Sequence, residues 1–164
     1  MFIKTLTVDN YYSKEGAVNL AAVVSNLQFV ESDIGKEIQN FNHVSDDIDS
    51  IFSKVLNIPV TVNKEKSGIF TFPKTFIHFK GFDSLNEWVY VVALQKTMFN
   101  IYEHESGAKT ALDDYKFNYR NLFEWDYTVN YYLDPGQGVF FRPWLFHSFD
   151  GGLIETFRLK ENDN

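Results

Sequence analysis

The chain reads as mainly β, an antiparallel sandwich or barrel with two helices ahead of it. From Val60 onward apolar residues recur with a period of two, in short runs rich in Val, Ile, Phe and Tyr. Turn formers punctuate the runs at Ser67-Gly68, Lys80-Gly81, Ser106-Gly107, Asp134-Pro135-Gly136 and Asp150-Gly151-Gly152. Eight runs fit into about 100 residues with no helical crossover long enough to join parallel neighbours, so the pairing is antiparallel.

The helices come first. Between Lys14 and Phe29, Ala17, Leu20, Ala21, Val24 and Leu27 recur at three and four, and Ser13 stands as an N-cap. The second helical period begins at Ser45, its cap, with Asp46, Asp47 and Asp49 at the positive end of the macrodipole and Pro59 just beyond its end. The expected strands are Val60 to Val62, Gly68 to Phe72, Phe76 to Lys80, Glu87 to Leu94, Met98 to His104, Tyr127 to Leu133, Gly138 to Phe141 and Leu153 to Leu159. The 164 residues make one domain. Residues 1–58 are the helical part, 59–160 the β-barrel and 161–164 a frayed tail.

Composition removes several function classes. Seventeen Phe, nine Tyr and three Trp, with 23% charged residues, exclude a disordered chain. The net charge of -7 argues against nucleic acid and anionic membrane as partners. No stretch approaches the ~20 apolar residues of a membrane span and Met1 to Asn10 lacks a signal-peptide pattern, so a cytoplasmic location is expected. The absence of Cys leaves His, Asp, Glu and Tyr as metal ligands, and the chain has four His.

The most informative stretch is Leu133 to Phe149. A Pro135-Gly136 turn leads into a strand, Pro143 follows Gly138 by five residues, and His147 stands four further on. This spacing resembles the second motif of the cupins and the related oxygenases, in which that His points into the barrel as a metal ligand. Physically, Pro143 ends the ladder pairing and a bulge re-aims His147 inward. The alternative is a buried imidazole hydrogen-bonded near Ser148. Upstream, His78 and the phrase Glu87-Trp88-Val89-Tyr90-Val91 resemble the first cupin motif, with Lys80 where the family has its second His. The charged ammonium has no lone pair for a metal.

The chain also resembles the iron(II) and 2-oxoglutarate oxygenases, which share the double-stranded β-helix (jelly-roll) fold and often carry helices ahead of it. Their facial triad is a His-x-Asp plus a distal His, and an Arg past the distal His holds the far carboxylate of the oxoacid. Arg158, eleven residues beyond His147, fits that role; the His-x-Asp is absent, and Asp83 is the nearest carboxylate after His78. The resemblance therefore implies iron(II) or another divalent metal on His78, His147 and either Asp83 or Glu87, with 2-oxoglutarate on Arg158. Lys80 beside His78 would suit an anionic ligand, or else be an edge-strand charge that blocks pairing. Arg142 and Arg120 would meet an anion at the mouth, or pair with acids and stack on rings.

The other candidates are weaker. His104 reads as a solvated strand end and His43 as a surface residue, while Glu103, Glu105, Asp113 and Asp114 read as solvated acids. The loop from Glu105 to Asp126 carries Tyr115, Phe117, Tyr119, Phe123 and Trp125, which cap the barrel or meet a partner.

The expected function is a cupin-like barrel binding a small or peptidic ligand, as a dioxygenase of the non-haem iron type. The alternatives are a non-catalytic binding or assembly protein that lost part of its metal site, and a cupin-type metal-dependent isomerase. Members of these families often dimerise across sheet edges, so a homodimer is one assembly the resemblance allows.

Overall fold

The computed structural model describes residues 5–32, 35–38, 44–73, 76–112 and 116–163. His43, Asp113, Asp114 and Tyr115 lie outside the described residues. In chain order the elements are β1 (Thr5–Val8), α1 (Lys14–Val24), β2 (Val30–Ser32), β3 (Gly35–Glu37), α2 (Ile48–Leu56), β4 (Val60–Val62), β5 (Ile69–Pro73), β6 (Glu87–Ala93), β7 (Thr97–His104), β8 (Trp125–Leu133), β9 (Gly138–Phe141), β10 (His147–Asp150) and β11 (Ile154–Glu161). All strand pairing among the described residues is antiparallel, as expected. One sheet runs β1-β9-β6-β11-β5-β3-β2, with β4 also on β11, and a smaller sheet runs β10-β7-β8.

The elements differ from the sequence reading in several places. The part before residue 58 is not purely helical, because β1, β2 and β3 join the large sheet. Their brevity and weak alternation hid them; the backbone of Tyr11 and Tyr12 then donates to Gly136 O, docking the start of α1 on the Pro-Gly turn. The expected strand Phe76 to Lys80 shrinks to one bridge, His78 with His147, plus a bond from Lys80 N to Pro143 O. The tail begins later than residue 161: Glu161 closes β11, and its carboxylate accepts from Trp88 Nε1 and Arg142, each at 2.7 Å.

Helix α1 starts as the sequence implies, with Ser13 Oγ accepting from Gly16 N at 3.0 Å, but ends at Val24. Helix α2 starts two to three residues after the expected cap; its Asp47 makes no side-chain capping bond, and Asn57 closes it in the left-handed region.

Packing explains why β6 reads as a continuous apolar run. Val89, Val91 and Ala93 face the small sheet, where they meet Phe99, Ile101, Leu133 and Phe149, together with Phe141 of the neighbouring β9 and Leu145. Trp88, Tyr90 and Val92 face the opposite way, against Ile48 and Phe52 of α2. Helix α1 covers the adjoining part of that outer face, placing Ala17, Ala21 and Val24 on Phe70, Leu94 and Leu153. A strand buried on both faces has no polar alternation to show. At ~2 kcal/mol per fully buried large apolar side chain, these layers dominate stability. A separate cluster of Ile77, Tyr102, Trp125 and Phe146, joined by Phe117 and Tyr119, closes one end, so much of the aromatic 105–126 loop caps the barrel. Phe123 stays 98% exposed.

Two buried polar features sit in this frame. Glu155 lies on the outer face of β11 beneath the helices, where Tyr12 Oη donates to its Oε2 at 2.8 Å. Burial pushes its carboxyl up from 4.5 to about 7, with the Tyr12 bond opposing. His104 is buried rather than solvated: its Nε2 lies 3.2 Å from Glu124 Oε2 and Ser106 N donates to its Nδ1. The turn at Ser106 folds back over the ring.

Two stability measurements follow from the packing. A raised carboxyl pKa favours folding fully below 4.5 and loses that contribution as pH rises through about 7. Urea unfolding should therefore show Glu155→Gln matching the parent at pH 4.5 and exceeding it by roughly 2–3 kcal/mol at pH 8. Gly138 faces the Tyr90 ring so closely that an added Cβ would lie 2.2 Å from its hydroxyl and 2.4 Å from Cζ. Tyr90 is stacked on Phe140 at 4.2 Å and cannot retreat freely, so Gly138→Ala should cost roughly 1–3 kcal/mol in the same assay.

Candidate functional site

The side-chain alternation of β11 and β5 builds a cavity in the end of the barrel that apolar residues do not fill. Ile154 enters the apolar core, and Thr156 and Arg158, two and four residues on, line the cavity beside Ile69 and Thr71 of β5. Residues 78–81 form another wall and Glu37 and Lys66 the rim, around a volume of about 300 Å³. Three of the lining residues are cations (Lys66, Lys80, Arg158) against the single carboxylate of Glu37, in a chain whose net charge is -7.

His78 and His147 are the centre of the site. Each backbone N–H donates to the other's carbonyl at 2.9 Å, which brings the two rings to 4.3 Å between centroids. Each ring is tied by its Nδ1–H to a carbonyl two residues earlier, His78 to Phe76 at 3.0 Å and His147 to Leu145 at 2.7 Å. That bond fixes the tautomer and leaves a lone pair on both Nε2 atoms. His147 is fully buried among Phe99, Phe141 and Phe149, and its Nε2 has no hydrogen-bond partner among the described residues. Burial, then the nearby Lys80 charge, lowers the His78 pKa to about 4. Burial, with the charges of His78 and Lys80, holds His147 well below the usual imidazole range. Both rings are neutral acceptors at neutral pH.

Lys80 is a cavity residue. Burial and the neighbouring Arg158 lower its pKa to about 8, with Glu37 pulling the other way. Among the described residues its ammonium forms no ion pair. Arg158 also lines the cavity; its guanidinium donates to Gly81 O and to Glu87 Oε2 at 3.0 Å, and its Nε has no partner among the described residues.

The remaining sequence candidates lie elsewhere. Asp83 is exposed, away from the histidine pair and the cavity. Glu87 holds the loop before β6, accepting from Asp83 N at 2.7 Å and Ser84 N at 3.0 Å. Burial pushes its carboxyl up, but those N–H groups and Arg158 outweigh burial and leave it below the usual range. Arg142 does not line the cavity: it lies 3.7 Å over the Trp88 ring and pairs with Glu161. Sequence reasoning missed Glu37, Lys66, Thr71 and Thr156. Thr156 was detectable, two residues from Arg158 on one strand, whereas Glu37 comes from a strand with no pattern to announce it.

Whether these residues suit iron(II) or another divalent metal is a question of donors. The tied Nδ1–H groups and free Nε2 lone pairs are what imidazole ligands require. A facial triad also needs a carboxylate; among the described residues no third His, Asp or Glu completes a ligand group. In its place the site carries the Lys80 ammonium, which offers no lone pair and raises the local positive potential. The donor set does not fit a facial-triad metal.

No family model and no curated protein sequence matches the chain. Solved structures do. HygX from Streptomyces hygroscopicus with nickel and 2-oxoglutarate bound is 8% identical, with 97% of this chain and 83% of that one covered at a TM-score of 0.63. SnoN, the non-heme alpha ketoglutarate dependent epimerase from nogalamycin biosynthesis, is 14% identical, with 96% and 76% covered at 0.62. AviO1 from Streptomyces viridochromogenes Tue57 is 10% identical, with 98% and 90% covered at 0.61. With its two facing antiparallel sheets and helices on the outer face, the chain has the cupin-like double-stranded β-helix fold that these structures share.

Proposed function

We propose that this chain is a cupin-like barrel that binds a small organic anion in the cavity beside the histidine pair, as a binding protein rather than an oxygenase. The observation that carries the reading is the Lys80 ammonium, which lines the cavity beside His78 and forms no ion pair among the described residues. A cation in a confined, partly dry space favours an anionic occupant, and charge-assisted bonds there are the strong ones. Arg158 adds a second cationic group, and Thr71 and Thr156 add hydroxyls. The cavity volume of about 300 Å³ is at the small end for ligand sites, which suits a metabolite of a few carbons.

The oxygenase reading draws on the fold and on the two Nε2 lone pairs; in it, His78 and His147 would hold iron(II) and Arg158 would meet 2-oxoglutarate. One experiment separates the two. Protein stripped with chelator and reloaded anaerobically with iron(II) should retain well under one iron per chain by elemental analysis. Glutarate and 2-oxoglutarate should raise the melting temperature equally with and without EDTA, and Lys80→Met should weaken their binding about 10–100-fold, the worth of a hydrogen bond to a charged group. One iron per chain, with a new visible band on adding 2-oxoglutarate that Arg158→Ala diminishes, would instead establish the oxygenase.

A further inference from the structure

Resting on that anion-binding reading, we propose that the occupant is a short hydroxy acid: its carboxylate meets Lys80 and Arg158, and its hydroxyl donates to His78 Nε2. The inference comes from the polarity of the groups that surround one small space. The cationic side, Lys66, Lys80 and Arg158, offers donors and accepts nothing. His78 is the reverse. With its Nδ1–H held by Phe76 O, its Nε2 can only accept, and no donor among the described residues reaches it. The side chain is 9% exposed and lines the cavity. His147 Nε2, buried and also without a partner among the described residues, does not line the cavity, so His78 is the imidazole a ligand there meets.

A ligand that satisfies both sides carries an anionic acceptor group and, close to it, a hydrogen-bond donor. A 2-oxo acid fails at the second point, since its carbonyl oxygen sets lone pairs against lone pairs and leaves His78 Nε2 dry and unsatisfied. A plain carboxylic acid presents methylene there and leaves the same acceptor unpaired. An amino acid supplies a donor, but its ammonium faces Lys80 and Arg158. A hydroxyl donates to His78 and adds no charge. Sites built to bond a substrate hydroxyl discriminate strongly against the analogue without it, because the site's own polar group is then stranded. The Lys80 cation and the His78 acceptor thus reverse the preference expected if a metal stood in the cavity to receive an oxo group.

The test is calorimetric titration of the parent protein, in EDTA, with 2-hydroxyglutarate, 3-hydroxyglutarate, 2-oxoglutarate and glutarate. At least one hydroxy acid should bind tenfold or more tighter than both 2-oxoglutarate and glutarate. His78→Phe, which keeps a ring but removes the acceptor, should abolish the preference, and the His78 Nε2 resonance in nitrogen-15-labelled protein should move on adding the hydroxy acid. If all four acids bind within twofold of one another and Lys80→Met weakens them alike, the hydroxyl inference is overturned while the anion site stands. Tightest binding of 2-oxoglutarate also overturns it. If none binds, both readings fall. The ranking on the parent protein decides the matter even if the His78→Phe chain does not fold.

Discussion

Strand β11 is hydrogen-bonded along both edges, to β6 over the pairs from Ile154 to Lys160 and to β5 and β4 on the other side. A strand so held leaves each side chain two directions, and a shift by one residue would exchange them all. Ile154, Thr156 and Arg158 point into the barrel, while Phe157 and Leu159 meet the layer covered by α2. Register on this one strand therefore determines both the seal beneath the helices and the polarity of the cavity. It also places Glu155 in the outer layer, where Tyr12 meets it.

The apolar core and the cavity are two ends of one interior. Where β6, β9 and β11 face β7 and β10, Phe99, Phe141 and Phe149 fill the space around His147. Beyond His78 the wall turns polar, and Lys80 and Arg158 stand where further packing would have closed the barrel. Arg142 shows the other fate of an arginine on these strands. Its stacking on Trp88 and its bond to Glu161 fix the end of β11 against β6, the pairing and stacking role that the sequence offered beside an anion at the mouth.

What could be read from residues alone follows how local each constraint is. His147 was found because the Pro135-Gly136 turn, Gly138 and Pro143 stand at fixed offsets from it, and the backbone bridge does bring it to His78. Arg158 was found by its offset along the next strand. Asp83 and Glu87 were proposed as ligands because they follow His78 closely in sequence, but Asp83 is exposed and the Glu87 carboxylate ties the loop, accepting from the backbone of Asp83 and Ser84. The strands β1, β2 and β3 carry three or four residues each and owe their existence to pairing with β9, β5 and one another, a tertiary cause with no local sign. His104 looked solvated because it stands at a strand end just before a turn; the covering rings come from Phe117 in the loop that follows and Trp125 at the start of the paired strand β8.

The buried ionisable groups give folding a proton inventory. Between pH 4.5 and 6.5 an unfolded chain carries protons on the imidazoles of His78 and His147 and little on the Glu155 carboxyl; the folded chain does the opposite. Collapse in mild acid thus expels protons from the histidine pair in the interior, where β10 belongs to the small sheet, and captures one on the outer face of the large sheet. The two exchanges oppose each other, so acid loosens the fold less steeply than two buried imidazoles alone would dictate, and the sheet acts as a partition between a proton-rejecting interior and a proton-retaining layer under the helices.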